Sequence, residues 1–235
     1  YKYTKNTVLD YSLPPSMGFS SVKDNLGNIL NQGYEFNLRI MPIRIPAKQM
    51  TLSFVANGSH NVNKIKKISN ALKRRNDSEL AEDPSNPNKL SRPLPRYVEG
   101  YSQSMIWAVQ SLGIDPITGR EIYLSRDGQR TSEWNAVDLV PCGDTEPDLA
   151  GTLSTNFTWR GLTFTVAARY QFGGQYYNKT LLDKVENANL RYNVDRRAYT
   201  DRWAAPGDLV AFKAVTTNVN GQQTKASSRF VMDNN

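Results

Sequence analysis

Few residues here could do bond-making chemistry. The chain has one histidine, His60, and one cysteine, Cys142, so a Cys–His or Ser–His nucleophile pair would have to use His60. A metal site built on imidazoles would need ligands from other chains. Cys142 follows Pro141, has no second cysteine for an intrachain disulfide, and shows no mark of a reactive thiol. The acids Asp115, Glu121, Asp127 and Asp138 form no recognisable carboxylate pair of the kind glycoside hydrolysis uses. Asp115, Glu121 and Asp127 recur with glycines over 111–127, but the spacing of a calcium-binding EF-hand is absent. Asp115-Pro116-Ile117-Thr118-Gly119 and Arg126-Asp127-Gly128 read as turns. No catalytic set, metal-ligand set, cofactor or enzymatic activity is expected.

Aromatic surface is the stronger signal. Aromatics make up 10% of the chain, with 12 Tyr among them. Trp107, Tyr123, Trp134, Tyr176, Tyr177 and Trp203 lie in stretches without strand periodicity. Their rings could stack on sugars or grip a peptide, because an aromatic face offers apolar area at little entropic cost. These six are the candidate substrate-binding residues, and packing within the loops is the alternative for each. A basic stretch over 63–76 places Ile65, Ile68 and Leu72 at helical spacing among lysines and arginines. Such a helix could meet nucleic acid or lipopolysaccharide phosphates. It lacks the interleaved aromatics that nucleic acid favours, so a solvated loop helix is expected and nucleic acid is not.

The elements that carry these residues read as strands. Over 152–160, Leu153, Thr155, Phe157 and Trp159 alternate with Thr152, Ser154, Asn156, Thr158 and Arg160. Over 162–172, Leu162, Phe164, Val166, Ala168, Tyr170 and Phe172 alternate with polar or small residues. Period 2 in two consecutive runs around Arg160-Gly161 predicts a β-hairpin, each strand with one apolar face. Each run is close to the roughly 9–11 residues that cross a bilayer at a tilt. Tyr34, Phe36, Leu38 and Ile40 against Glu35, Asn37 and Arg39 predict a further strand. Pro42 and Pro46 are expected to break it before 50–57 resumes the pattern. The chain also opens (Tyr1 to Lys5) and closes (Ser227 to Val231) in strand-like pattern, which reads as a segment of a longer protein.

Between the hairpins lie about ninety residues, 58–150, with little alternation, and a second excursion covers 173–226 with a helical turn or two expected over 181–190. The first excursion also includes loop chemistry at 83–88 and at Pro93-Leu94-Pro95. Structureless loops beyond roughly 12–15 residues are uncommon in compact soluble domains. Short turns on one side and long loops on the other are the rule in outer-membrane barrels. Composition agrees: hydrophobic residues are 39% and net charge is +7, mean hydropathy is −0.57, and no apolar run of about 18 residues could form a membrane helix. A barrel that alternates lipid-facing and lumen-facing residues has this soluble-looking average. Trp159 and Tyr170, near strand ends, suit interfacial belts. A secreted all-β adhesin or carbohydrate-binding module is the rival reading. It would bury Phe157, Trp159, Phe164 and Val166 in a sandwich core.

Six blocks carry a family likeness, in order along the chain. They are Leu13-Pro14-Pro15-Ser16-Met17-Gly18-Phe19-Ser20-Ser21-Val22; Asn25-Leu26-Gly27 with Asn31-Gln32-Gly33-Tyr34-Glu35; and Ser111-Leu112-Gly113-Ile114-Asp115-Pro116-Ile117-Thr118-Gly119-Arg120-Glu121. Then come Phe172-Gly173-Gly174-Gln175-Tyr176-Tyr177-Asn178, Asp201-Arg202-Trp203 with Pro206-Gly207-Asp208, and Ser227-Ser228-Arg229-Phe230-Val231. On these blocks the chain resembles the C-terminal part of the barrel of SusC/RagA-type TonB-dependent outer-membrane transporters of Bacteroidetes. The resemblance implies an all-β fold in which residues 1–235 form a segment of a large antiparallel transmembrane β-barrel, 22-stranded in the family. Long extracellular loops would carry short helices, and the plug domain, the TonB box and the closing strands would lie outside this segment. It further implies an outer-membrane importer of oligosaccharides or peptides. Its partners would be a SusD-like surface lipoprotein, the TonB complex acting through the N-terminal region, and outer-membrane lipid.

Overall fold

The computed structural model describes residues 2–12, 21–80, 89–215 and 224–234. The loop expected over 83–88 and the 13–20 part of the first block lie outside the described residues. In chain order, β1 (Lys2–Ser12), β2 (Ser21–Ile45) and β3 (Met50–Ile68) lead into helix α1 (Asn70–Glu79). The excursion that follows holds β4 (Met105–Val109), β5 (Ser111–Ile114), β6 (Glu121–Leu124), β7 (Arg130–Thr131) and β8 (Leu139–Asp144). Then come β9 (Leu149–Trp159), β10 (Leu162–Phe172), β11 (Gln175–Tyr177), α2 (Lys179–Leu181), α3 (Arg197–Thr200) and β12 (Val231–Asp233). The long strands form one five-stranded antiparallel sheet in the order β1-β2-β3-β9-β10. The short ones make small sheets, β4-β8, β5-β6-β7 and β11-β12.

The hairpin read around Arg160-Gly161 is present. Leu162 pairs with Trp159, and both turn residues have positive φ, 47° for Arg160 and 85° for Gly161. Two left-handed residues make the turn whose twist matches that of the flanking strands. Pro42, by contrast, does not break its strand. Ile40 pairs with Phe54 and Ile43 with Leu52, so β2 carries one extra residue there. A bulge of this kind tolerates proline, because the residue it inserts is left out of the ladder. It also returns Ile43 and Ile45 to the face of Ile40. The real turn is the single helical turn Pro46–Lys48, closed by Gln49 in left-handed conformation.

The helix expected over 63–76 starts later. Residues 63–68 complete β3, and α1 begins only after Ser69, whose hydroxyl accepts from the Leu72 N–H at 3.1 Å. Isoleucine suits a strand as well as a helix, and a second bulge decides the matter. Ile65 pairs with Ile29 and Lys67 with Asn28. Ile29, Ile65, Ile68 and Leu72 then bury one another, with Tyr97 packed on them. Asn76 of α1 grips the Tyr97 backbone at both its N–H and its carbonyl. The excursion thus leaves the sheet higher than the sequence pattern suggested, because β3 outruns β9, whose pairing with it ends at Ser59 and Ala150.

Register sorts the side chains into two faces. Ile40, Phe54, Thr155 and Val166 stand in one row, Leu38, Ala56, Leu153 and Ala168 in the next, with Leu52, Phe157 and Phe164 on the same face. The opposite face carries Arg39, Asn37, Glu35, Ser53, Asn57, Ser154, Asn156, Thr165 and Arg169. The apolar face is bare: Phe164 is 59% exposed and Leu153 52%. Phe157 is half-buried beneath its neighbours. This is not a sandwich core. On that face Tyr170 drapes over Gly151 and Gly58, its hydroxyl donating to the Asn57 carbonyl at 2.7 Å. A Cβ on Gly151 would lie 2.6 Å from that hydroxyl and 2.0 Å from the Asn57 carbonyl oxygen.

A second core holds the loops together. Leu182, Val185, Ala198, Phe212 and Phe230 are buried against one another. The helical turns expected over 181–190 appear as α2 followed by a π turn, Leu182–Glu186. At the chain's last block, Ser228–Phe230 forms a single helical turn before β12 pairs with β11.

Candidate functional site

The polar face of the sheet is a built surface. Asn57 and Thr152, side by side on β3 and β9, exchange two hydrogen bonds: Asn57 Nδ2 donates to Thr152 Oγ1 at 2.7 Å, and the Thr152 N–H donates to Asn57 Oδ1 at 3.0 Å. Two rows further on, Asn156 Nδ2 donates to Thr165 Oγ1 at 3.0 Å. A shallow recess of about 630 Å³ opens here, lined chiefly by polar-face residues that include Glu35, Asn37, Ser59, Thr152, Arg169 and Gln171. Amides, hydroxyls and opposite charges on one wall can hold a polar solute reversibly. Among the described residues no group of three His, Cys, Asp or Glu is placed to hold a metal ion.

The loops stand on a buried ionic hub. Arg229 Nη2 contacts Glu121 Oε2 at 3.1 Å and Glu186 Oε1 at 2.7 Å. Ser227 Oγ and Tyr123 OH both donate to Glu121, and Thr224 Oγ1 donates to Glu186 at 3.0 Å. Burial alone would push the Glu121 carboxyl up. The Arg229 charge and the hydrogen bonds from Arg229, Ser227 and Ser111 together outweigh it and hold the carboxyl below its ordinary range. Burial, reinforced by the adjacent Glu121 charge, pushes the Tyr123 hydroxyl up. Arg202 is the second hub: its guanidinium donates to the carbonyls of Ala198, Lys213, Val185 and Glu186. Glu121 and Arg229 lie far apart in sequence, and no local period could have paired them.

The six aromatics do not form one surface. Trp107 is buried on β4, edge-on to Tyr101 at 5.2 Å, with the Arg96 guanidinium 5.5 Å from its ring centre. Tyr123 is buried against Glu121. Trp134 donates its indole N–H to the Ala226 carbonyl at 2.9 Å, under the Lys225 ammonium. Trp203 donates to the Pro116 carbonyl at 2.8 Å and packs on Gly119. Tyr177 donates to the Ser91 carbonyl and meets Phe230 edge-on. Tyr176, beside it on β11, is 41% exposed. Asp115 caps its own turn, accepting from the Thr118 hydroxyl at 2.6 Å and the Ile117 N–H at 3.1 Å. These bonds hold its carboxyl below the usual range.

No family model matches the chain. Among curated proteins, the TonB-dependent receptor P39 of Formosa agariphila is 21% identical to it, covering 98% of this chain and 25% of that protein. The TonB-dependent receptor P3 of the same organism is 24% identical, covering 77% of this chain and 18% of that protein. Among solved structures, the RagAB peptide transporter is 18% identical with a TM-score of 0.69, covering 97% of this chain and 24% of that one. The RagAB peptide importer in its closed-closed state is 19% identical with a TM-score of 0.68, covering 98% of this chain and 24% of that one. The chain thus spans a quarter or less of the length of the relatives it matches. The likeness gives the fold: the two-faced sheet is a segment of an all-β barrel wall.

Proposed function

We propose that this chain, similar in sequence and fold to part of the SusC/RagA-type TonB-dependent transporters, is a piece of an outer-membrane importer of oligosaccharides or peptides. The observation that carries the reading is the sheet whose apolar face is bare while its polar face is hydrogen-bonded and recessed. In water that arrangement leaves a large apolar patch unpaired. In a bilayer it puts hydrocarbon against hydrocarbon, and closure of the barrel by the remaining strands satisfies the backbone groups at both sheet edges. Trp159 near the short turns and Tyr34 and Tyr170 toward the loops suit the two interfacial belts.

Function then divides by face. The polar wall lines the interior and offers solutes weak, reversible contacts. The loops, braced by Arg229 and Arg202, stand over the opening, where a SusD-like surface lipoprotein would close on captured substrate. TonB would act through the N-terminal region of the whole protein, outside this segment. Of the six candidate aromatics, Tyr176 presents the most accessible ring to a passing ligand, and the other five pack against residues of the loops. RagAB is a peptide transporter, which supports peptides as the first substrate class to test.

The test is made on the intact parent protein. It should fractionate with the outer membrane, migrate faster on gels unheated than boiled, and take up labelled oligopeptides or oligosaccharides only when TonB is present. Recovery of the parent as a soluble secreted protein would instead support the adhesin or carbohydrate-binding reading. TonB-independent uptake would overturn the energy coupling.

A further inference from the structure

We propose that the outward face of β1, β2 and β3, just beyond the apolar band, binds the phosphate groups of a phosphorylated glycolipid in the outer leaflet. The inference rests on the membrane reading above and adds to it a site and a ligand. Its starting point is register. On β2 and β3 the outward positions run from Ile40 and Phe54 through Leu38 and Ala56 to Tyr34 and His60, whose rings face each other at 5.0 Å. Continuing the same pairing, Lys64 stands opposite Leu30, and after the bulge Lys67 stands opposite Asn28. On β1, Tyr3 pairs with Leu30 and Thr4 with Ile29. Between Thr4 and Thr7, which pairs with Gly27, β1 carries one residue more than β2, so Lys5 stands in that bulge across from Asn28, on the side of Tyr3.

Lys5, Lys64 and Lys67 therefore share one face, and all three are exposed. None of them forms an ion pair with a described residue. The other outward positions here, Tyr3, Asn28, Leu30, Gln32 and Val62, include no acid. Two nearby carboxylates with described side chains are engaged otherwise: Glu99 accepts from the Ile68 N–H, and Glu146 from Asn61, whose register places it on the polar face.

Height fits the headgroup layer. At a rise of roughly 3.3 Å per residue and a tilt near 45°, Lys64 lies about 9 Å above the aromatic pair. The headgroup region adds roughly 5–8 Å beyond the hydrocarbon on each side. A lysine stem of about 6 Å bends back into that layer while its ammonium stays polar. The bulge makes this possible. It buries Ile65 inward against Ile29 and restores Lys67 to the outward side, so an otherwise alternating strand sets two lysines three residues apart on one face. Phosphate is the class of ligand selected by three exposed cations that have no ion pair and no adjacent acid among the described residues.

The experiment uses the intact parent transporter in neutral detergent micelles. Binding of a diphosphoryl lipid A type glycolipid is measured against its dephosphorylated form and against phosphatidylglycerol. The expected result is phosphate-dependent binding, weakened roughly fivefold for each lysine neutralised in Lys5→Gln, Lys64→Gln and Lys67→Gln. The control variant Arg120→Gln/Arg126→Gln/Arg130→Gln, which removes as much charge from the loops, should bind as the parent does. Equal binding by the triple-lysine variant, or by the dephosphorylated lipid, overturns the site. Equal binding of phosphatidylglycerol overturns its assignment to the glycolipid. If the parent shows no heat-modifiable barrel, the membrane reading fails. If it does and the lysine variant is silent, only this inference fails.

Discussion

Glu121 and Glu186 keep side chains that are 3% and 0% exposed, each held by the same guanidinium. Removing one partner of a buried pair leaves an uncompensated charge and costs about 3–5 kcal/mol. Arg229→Ala is therefore expected to loosen the loops while sparing the sheet. Limited proteolysis of the intact protein should cut within 173–230 and leave the barrel resistant. The same hub sets a pH limit. The Glu121 carboxyl is held below its ordinary 4.5, so its stabilisation is complete above that value and is lost as pH falls through the lower folded value. Loop cleavage should stay flat from neutral pH down to the ordinary carboxylate value of 4.5 and rise as pH falls further below it. Tyr176→Ala is expected to weaken substrate binding about three- to tenfold, the worth of an aromatic contact, with surface expression unchanged. Unaltered affinity would show that this ring faces no substrate.

Two bulges between β2 and β3, and one turn between β9 and β10, keep those strands in phase. The bulge at Pro42 and the one between Asn28 and Ile29 each add a residue that would otherwise send a whole run of side chains to the wrong face. The turn at Arg160-Gly161 fixes the register of β9 and β10 from the other end. Gly161 has φ 85°, where a Cβ costs about 1–2 kcal/mol. Gly161→Ala should lower the urea midpoint of the refolded parent. Arg160→Asn, which favours the same left-handed region, should hold or raise it. If both variants unfold with the parent, the turn does not set the register.

At the scale of the molecule, the membrane placement proposed above gives the sheet different solvents on its two sides. An arginine on the lipid face near the bilayer midplane costs about 2–4 kcal/mol. Leu153→Arg should accordingly impair barrel assembly, whereas Asn156→Arg on the polar face should assemble normally and alter transport instead. Folding yields on lipid vesicles measure both. Equal yields would mean that both faces meet water.

Alternation at 152–172 and 33–41 was enough to establish the strands, the hairpin and the two faces, because a side-chain period of 2 is a local property that neighbouring residues display. Bulges were not legible, since an extra residue at Pro42 or near Lys66 looks in sequence like a break or a helix until a partner strand is laid beside it. The ionic hub was hidden for a related reason. Glu121 and Arg229 are joined only by chain reversal across loops. The aromatics were visible as types, but burial separates Trp107 and Tyr123, closed in by neighbours, from Tyr176, left open at an edge. Sequence alone determined which sides of the strands are apolar. Tertiary structure decided that none of the described residues covers them, because burial depends on how distant segments fold back and not on the order of residues along a strand.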